Sequence, residues 1–257
     1  MASRYLMLWK MLLILNLKCL QRQQQRLQRN TNITIITMAS VAADTTTTMK
    51  SMNIIITMAS VAVDIITSMV ITTPFDKPGH FYYNQKINCM RARGQVQLGD
   101  KTYCFDPADS FGVLDWGRGV WTYHNTWYWG SASGELDGVP FGWNIGYGFG
   151  DTSAATENVL FYGGKIHKLG EVKFEIPMDE DGFEDFMKPW VFTSDDNRFY
   201  MNFTPVLDRS AFMSAGVVLS DQHQVFGRFT GRITLDDGTV LPVRDFFGFA
   251  EKVENKW

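Results

Sequence analysis

Phe199-Tyr200-Met201-Asn202-Phe203-Thr204 sets an apolar side chain at every second position. A helix places its apolar residues three and four apart, so an alternation of period two marks a strand with one buried face. The same alternation runs through Val172, Phe174 and Ile176, set among Glu171, Lys173 and Glu175. It continues through Val225, Gly227, Phe229, Gly231, Ile233 and Leu235. Asp195-Asp196-Asn197, Gly163-Gly164 and Asp237-Gly238 separate such runs with residues that tolerate the positive φ of tight hairpins. The expected fold is all-β: short antiparallel strands in an up-and-down meander, forming a barrel or sandwich. Gly142, Gly146, Gly148 and Gly150 fall inside strand-like sequence, where glycine marks sharp bending or close backbone approach. Gly146 to Gly150 also has the look of a nucleotide loop, but no phosphate-cradling helix pattern follows it.

This strand pattern begins near Phe81, and composition breaks just before it. Residues 1–73 carry seven Lys or Arg against two Asp or Glu, whereas 74–257 carry seventeen against twenty-five, giving +5 and −8. Seven of the eight Trp also follow Pro74, so the aromatic surface able to build a core lies there. An acidic domain without a basic stripe lacks the footprint of a nucleic-acid binder. Cys19, Cys89 and Cys104 are too few for a disulfide framework. Buried free thiols at Cys89 and Cys104 are the expectation, with a bridge between them as the alternative.

Within 1–73, Arg4 and Lys10 precede the apolar run Met11 to Leu15, as in a secretory signal, but Leu17-Lys18-Cys19-Leu20 is unsuited to a signal peptidase. Ile35 to Ala42 recurs as Ile55 to Ala62, two copies where a solenoid needs three or more. Ile54 to Thr73 has the length of a membrane span, yet is rich in Thr and Ser and carries Asp64 near its middle. The reading is a low-complexity segment outside the fold over 1–73 and one β-rich domain over 74–257. A cytoplasmic address is favoured over secretion or membrane anchoring.

Phe81-Tyr82-Tyr83-Asn84-Gln85-Lys86-Ile87-Asn88-Cys89, LDWGRGVWTYHNTWYWGS (Leu114 to Ser131) and NIGYGFGDTSAATENVLFYGGKIHKL (Asn144 to Leu169) resemble the domain of unknown function 2804 family. Lys188-Pro189-Trp190, Leu207-Asp208-Arg209, SDQHQVFGRFTG (Ser220 to Gly231) and GFAEKVENKW (Gly248 to Trp257) extend the resemblance over nearly all of 74–257. That family is distantly similar to tandem lipocalin-like proteins such as carotenoid hydratase and tocopherol cyclase. The resemblance implies two barrel-like halves that enclose apolar ligands, this domain being the second. Family members usually carry a further β-rich half ahead of the tyrosine-rich stretch, where this chain has the repetitive tract.

In the hydratase-like relatives the stretch matching LDWGRGVW carries an acidic residue beside a histidine and a glutamate, and double-bond protonation is assigned to such groups. Here Asp115 is kept and Trp116-Gly117-Arg118 follows it. Asp115 and Glu157 are therefore the candidate acids. A carboxyl serves as an acid only where burial raises its pKa, and a guanidinium beside it does the reverse, so an Asp115–Arg118 ion pair is the competing expectation. Trp116, Arg118, Trp121, Tyr123, Trp127 and Trp143, with Tyr128 and Trp129, are candidates for a ligand wall or for plain core. Asn158, Lys165, Asp208, Arg209, Glu251 and Lys252 are polar residues in apolar surroundings that call for partners. His167 and His223 join the ligand candidates and lack metal-ligand spacing, so neither a metal nor a cofactor is expected. No serine elbow or cysteine–histidine arrangement points to a nucleophile.

Three functions follow, in order. The first is a lipocalin-like module binding a hydrophobic small molecule, isoprenoid or lipid. The second is a hydratase- or cyclase-type enzyme using a buried carboxylic acid. The third is a truncated product whose open sheet edges pair or aggregate.

Overall fold

A computed structural model describes residues 6–15, 36–40, 54–57, 61–62, 67–98 and 100–256, and no helix occurs among them. The strands are β1 (Leu6–Leu15), β2 (Ile36–Ser40), β3 (Ile54–Thr57), β4 (Val61–Ala62), β5 (Thr67–Pro74), β6 (Phe81–Ala92), β7 (Gly94–Leu98), β8 (Lys101–Phe105) and β9 (Ser110–Val120). They continue as β10 (His124–Leu136), β11 (Val139–Tyr147), β12 (Val159–Tyr162), β13 (Lys165–Lys168), β14 (Val172–Glu175), β15 (Trp190–Ser194), β16 (Phe199–Ala215), β17 (Val218–Thr234) and β18 (Val240–Lys256).

Nine strands form one antiparallel sheet in the order β13-β12-β11-β10-β18-β17-β16-β15-β14. Every neighbour in it is a chain neighbour except β10 and β18, the first and last, which pair from His124↔Lys256 to Ala132↔Gly248. The sheet is thus the expected meander, curled in a lipocalin-like half-barrel. β13 and β14, at the two ends of the sheet order, are not paired with each other, and side chains of the β15–β16 turn tie down the link between them. Arg198 Nη1 donates to the Lys168 carbonyl at 2.8 Å, and the Gly170 amide donates to Asp196 Oδ2 at 2.9 Å. Positive φ at Asn197 (58°), Gly163 (57°), Gly164 (77°) and Gly238 (84°) confirms the turn chemistry.

The barrel interior is lined by buried aromatic rings in contact. Trp143 touches Phe141, Phe199, Phe229 and Phe246 with ring centroids 5.1–5.6 Å apart, and Phe174 reaches across to Tyr128 and Tyr147. Met201, Phe203, Trp190 and Phe192 complete the same buried cluster. Interleaved edge-to-face rings of this kind fill volume to crystal-like density.

A second sheet runs β2-β1-β9-β6-β4, with β5 also on β6, and β3, β7 and β8 make a small third one. The second sheet lies across the outer face of barrel strands. Val113 of β9 packs with Trp129, Phe226, Phe247 and Phe249, and Met69 of β5 packs with Val159 and Phe161 of β12. The β5–β6 ladder runs back to Thr67, ahead of the composition break at Pro74. Of residues 1–66 only the four strands β1 to β4 are described; the stretch after Leu15 lies outside them, while 36–40 of the first repeat copy and 55–57 and 61–62 of the second fall in β2, β3 and β4.

Cys89 and Cys104 are free, so the alternative of a bridge is set aside, but Cys104 on the short β8 is exposed rather than buried as expected. Cys89 has a φ of 59° at a bulge where the β6–β9 register shifts between Ile87 and Met90. Burial pushes its thiol up to about 12, which keeps it protonated and unreactive.

Candidate functional site

The seam between the two large sheets is where polar side chains collect. On β6, Tyr82, Asn84, Lys86 and Asn88 stand at period two and turn inward, and Asn84, Lys86 and Asn88 are all at least 97% buried. Lys86 lies opposite Asp115 in the β6–β9 ladder, and its ammonium is 2.9 Å from Asp115 Oδ2. The same nitrogen is 3.3 Å from Glu157 Oε2, in the β11–β12 loop, and 4.3 Å above the Trp129 ring. The two candidate acids are thus brought together, on one lysine.

Hydrogen bonds extend the cluster into the barrel wall. The Tyr82 hydroxyl donates to Asp115 Oδ1 at 3.4 Å, and Asn84 Nδ2 donates to Glu157 Oε2 at 3.1 Å. Asn144 Nδ2 donates to the same Oε2 at 3.3 Å, while its Oδ1 accepts from Trp129 Nε1 at 2.7 Å. Alongside, Glu251 accepts from Trp127 Nε1 at 3.0 Å and from Gln224 Nε2 at 2.9 Å. Two glycines make the space. A Cβ on Gly117 would stand 2.2 Å from the Tyr82 ring, and one on Gly146 would stand 2.6 Å from the Tyr128 carbonyl and 2.8 Å from Glu157 Oε1.

Burial and charge set the protonation of the donors. Burial lifts the Tyr82 phenol well above its ordinary value, and the nearby Asp115 and Glu157 carboxylates add to the rise. For Lys86 burial alone lowers the pKa, but Asp115 and Glu157 outweigh it and the ammonium is held above its usual value. Both groups keep their protons at neutral pH. They are the proton-bearing members of the cluster, and the carboxylates are what they point at.

Directly over the cluster sits a knot of half-buried rings. Phe149 lies 4.8 Å from Tyr82, 5.7 Å from Trp121, 5.3 Å from Trp127 and 5.3 Å from Phe75. The start of β6, the turn before β10 and the loop after β11 meet there. Trp121 and Trp127, both named from sequence, therefore do stand beside the candidate acids.

Other candidates lie elsewhere. Asp115 and Arg118 are three apart on one strand and so face opposite sides of the sheet. The expected ion pair is replaced by Lys86, and exposed Arg118 sits 5.6 Å over the Tyr83 ring. Trp116 shares that outer side, edge-on to Tyr83 at 5.7 Å. Tyr123 is exposed and its hydroxyl donates to the Val217 carbonyl, a tie to the β16–β17 turn. Trp143 belongs to the barrel core. His167 accepts from the Asp236 amide at 3.2 Å and ties β13 to the β17–β18 turn. His223 pairs with Asp208 at 2.7 Å and stacks on Phe186 at 3.8 Å, with Lys252 tied to Glu184 nearby. Asn158 braces backbone, accepting from the Gly146 amide at 2.7 Å and donating to the Gly170 carbonyl at 3.0 Å. Among the described residues no group of His, Cys, Asp and Glu is arranged to hold a metal.

Tyr82, Asn84, Lys86, Asn144 and Phe149 are the members that sequence reasoning passed over. The signal for the first three was present, a period-two polar set inside an aromatic-flanked strand.

No curated protein matches the chain in sequence. The crystal structure of kievitone hydratase from Nectria haematococca is similar at a TM-score of 0.44 and 10% identity, over 97% of this chain and 88% of that one. A family model described as a domain of unknown function, DUF2804, matches residues 15–257, a span that starts well ahead of the composition break. The chain belongs to the DUF2804 family.

Proposed function

We propose that the protein binds a hydrophobic small molecule, an isoprenoid or lipid, at the seam between its two large sheets. The observation that carries this reading is Tyr82, whose ring belongs to the half-buried aromatic knot while its hydroxyl belongs to the buried Lys86–Asp115–Glu157 cluster. An apolar wall with a few placed polar groups behind it is the general form of a small-molecule site. The uniformly apolar cluster inside the barrel, with the polar groups gathered at the seam, favours the seam over the barrel as the place of binding. Native mass spectrometry with lipid extraction tests the reading. The protein should carry a stoichiometric apolar ligand, and Trp121→Ala with Trp127→Ala should release it while the melting transition stays sharp. A protein that never retains an apolar compound counts against it.

The same geometry supports a second reading, a hydratase- or cyclase-type enzyme at this cluster. It is favoured by the two candidate carboxyls standing together beside the proton-bearing Tyr82 hydroxyl, and opposed at Asp115 by the Lys86 ammonium, which favours the ionised form. Asp115→Asn should then abolish turnover of the extracted ligand and leave its binding intact. Turnover that survives the change removes Asp115 from the role.

A further inference from the structure

The seam cluster has used its donors and left acceptors over. Lys86 directs its ammonium at Asp115 Oδ2, Glu157 Oε2 and the Trp129 ring, and the Tyr82 hydroxyl is spent on Asp115 Oδ1. Asn84 Nδ2 and Asn144 Nδ2 both converge on Glu157 Oε2. Glu157 Oε1, against Gly146, receives no hydrogen bond from any described residue. Asn84 Oδ1 is buried and equally unmet. Turning the Asn84 amide over offers no escape, because it would set its oxygen against the Glu157 carboxylate. A buried acceptor without a donor is costly, whereas a carboxylate oxygen at the rim stays open to an incoming donor. Among the described side chains Asp115 and Glu157 share the Lys86 ammonium, and an anion arriving at Glu157 would meet a carboxylate oxygen.

Resting on the binding reading above, we infer that the ligand's polar end is a hydrogen-bond donor, a hydroxyl or an amine, and that carboxylate, phosphate and sulfate ends are rejected. The apolar body lies among Trp121, Trp127 and Phe149, and the donor end reaches Glu157 Oε1. Glu157 is the discriminating residue: its side chain is 17% exposed against 4% for Lys86, so it is the member of the pair that an incoming group meets.

Three probes with the same tail separate the possibilities: dodecan-1-ol, dodecylamine and dodecanoate, titrated at pH 8 into the full chain and followed by tryptophan fluorescence. The alcohol and the amine should bind about tenfold or more tighter than dodecanoate, the scale expected when a carboxylate oxygen meets an anion instead of a donor. A lead for the amine over the alcohol assigns the preference to charge, and equal binding assigns it to hydrogen-bond donation; either supports the inference. Glu157→Gln should narrow the gap, since the amide removes the charge and brings a donor of its own. The wild-type ratio decides the matter even if that variant does not fold. Dodecanoate binding as tightly as the other two overturns the head-group inference and leaves the binding reading standing. If none of the three binds, both fall together.

Discussion

Lys86 shows how much one residue can hold. Its side chain is 4% exposed and sits between two carboxylates that arrive from different sheets. Removing the cation leaves both acids buried without their charge partner, a loss of about 3–5 kcal/mol for a buried pair. Lys86→Met should cost that much at pH 7 in chemical denaturation, with part of the loss recovered at acid pH where the carboxylates take up protons. The alkaline side has a definite sign. Lys86 and Tyr82 both hold protons more tightly folded than their ordinary values of 10.5 and 10.0, so above about pH 10 the native state binds more protons than the unfolded one. Their contribution is complete below those ordinary values and is lost as pH rises through the folded ones. Melting temperatures should fall along an alkaline limb that Tyr82→Phe makes shallower. A limb unchanged in that variant would place the titrating groups elsewhere.

At the scale of elements, alternation was enough for the meander because one face of each barrel strand is uniformly apolar. Phe199, Met201 and Phe203 line the interior as read, and Asn197 and Gly238 make the turns. Alternation says which residues share a face, however, and not which face is buried. On β6 the polar set Asn84, Lys86 and Asn88 is the buried one, since a second sheet supplies partners that no local pattern can announce. The Asp115–Arg118 pairing failed for a related reason. Nearness in sequence stood in for contact, whereas a strand turns residues three apart to opposite sides. Trp143 and Trp127 lie in similar aromatic sequence, and only the curl of the sheet separates a core ring from one that hydrogen-bonds Glu251.

At the scale of the molecule, the barrel with a second sheet laid on its outer face agrees with an all-β, two-part organisation, and the seam exists only because both parts do. Asp115 and Lys86 come from one, Glu157 and Asn144 from the other, so the site was legible as residue types and illegible as a place. The same architecture leaves one edge open. The β15–β16 ladder ends at Trp190↔Phe203, yet β16 runs on to Ala215 paired with β17 alone. Beyond Phe203 its outer edge meets no described strand and presents Val206, Leu207, Phe212 and Met213 to solvent, Phe212 at 70% exposure. Asp208 and Arg209 are the two charged residues between Phe203 and Ser220, so little charge blunts the edge. Open amides and carbonyls beside exposed apolar side chains are satisfied by another strand, which makes this edge the expected route of self-association at high concentration. Phe212→Asp puts a charge where such a strand would lie and should raise the concentration at which oligomers form by about tenfold, the scale of losing one central apolar anchor. Light scattering across a dilution series reads this directly. Oligomers that persist unchanged in Phe212→Asp would mean that a different surface joins the chains, and a wild type that stays monomeric throughout would mean that the twist of the long hairpin alone is enough to protect its edge.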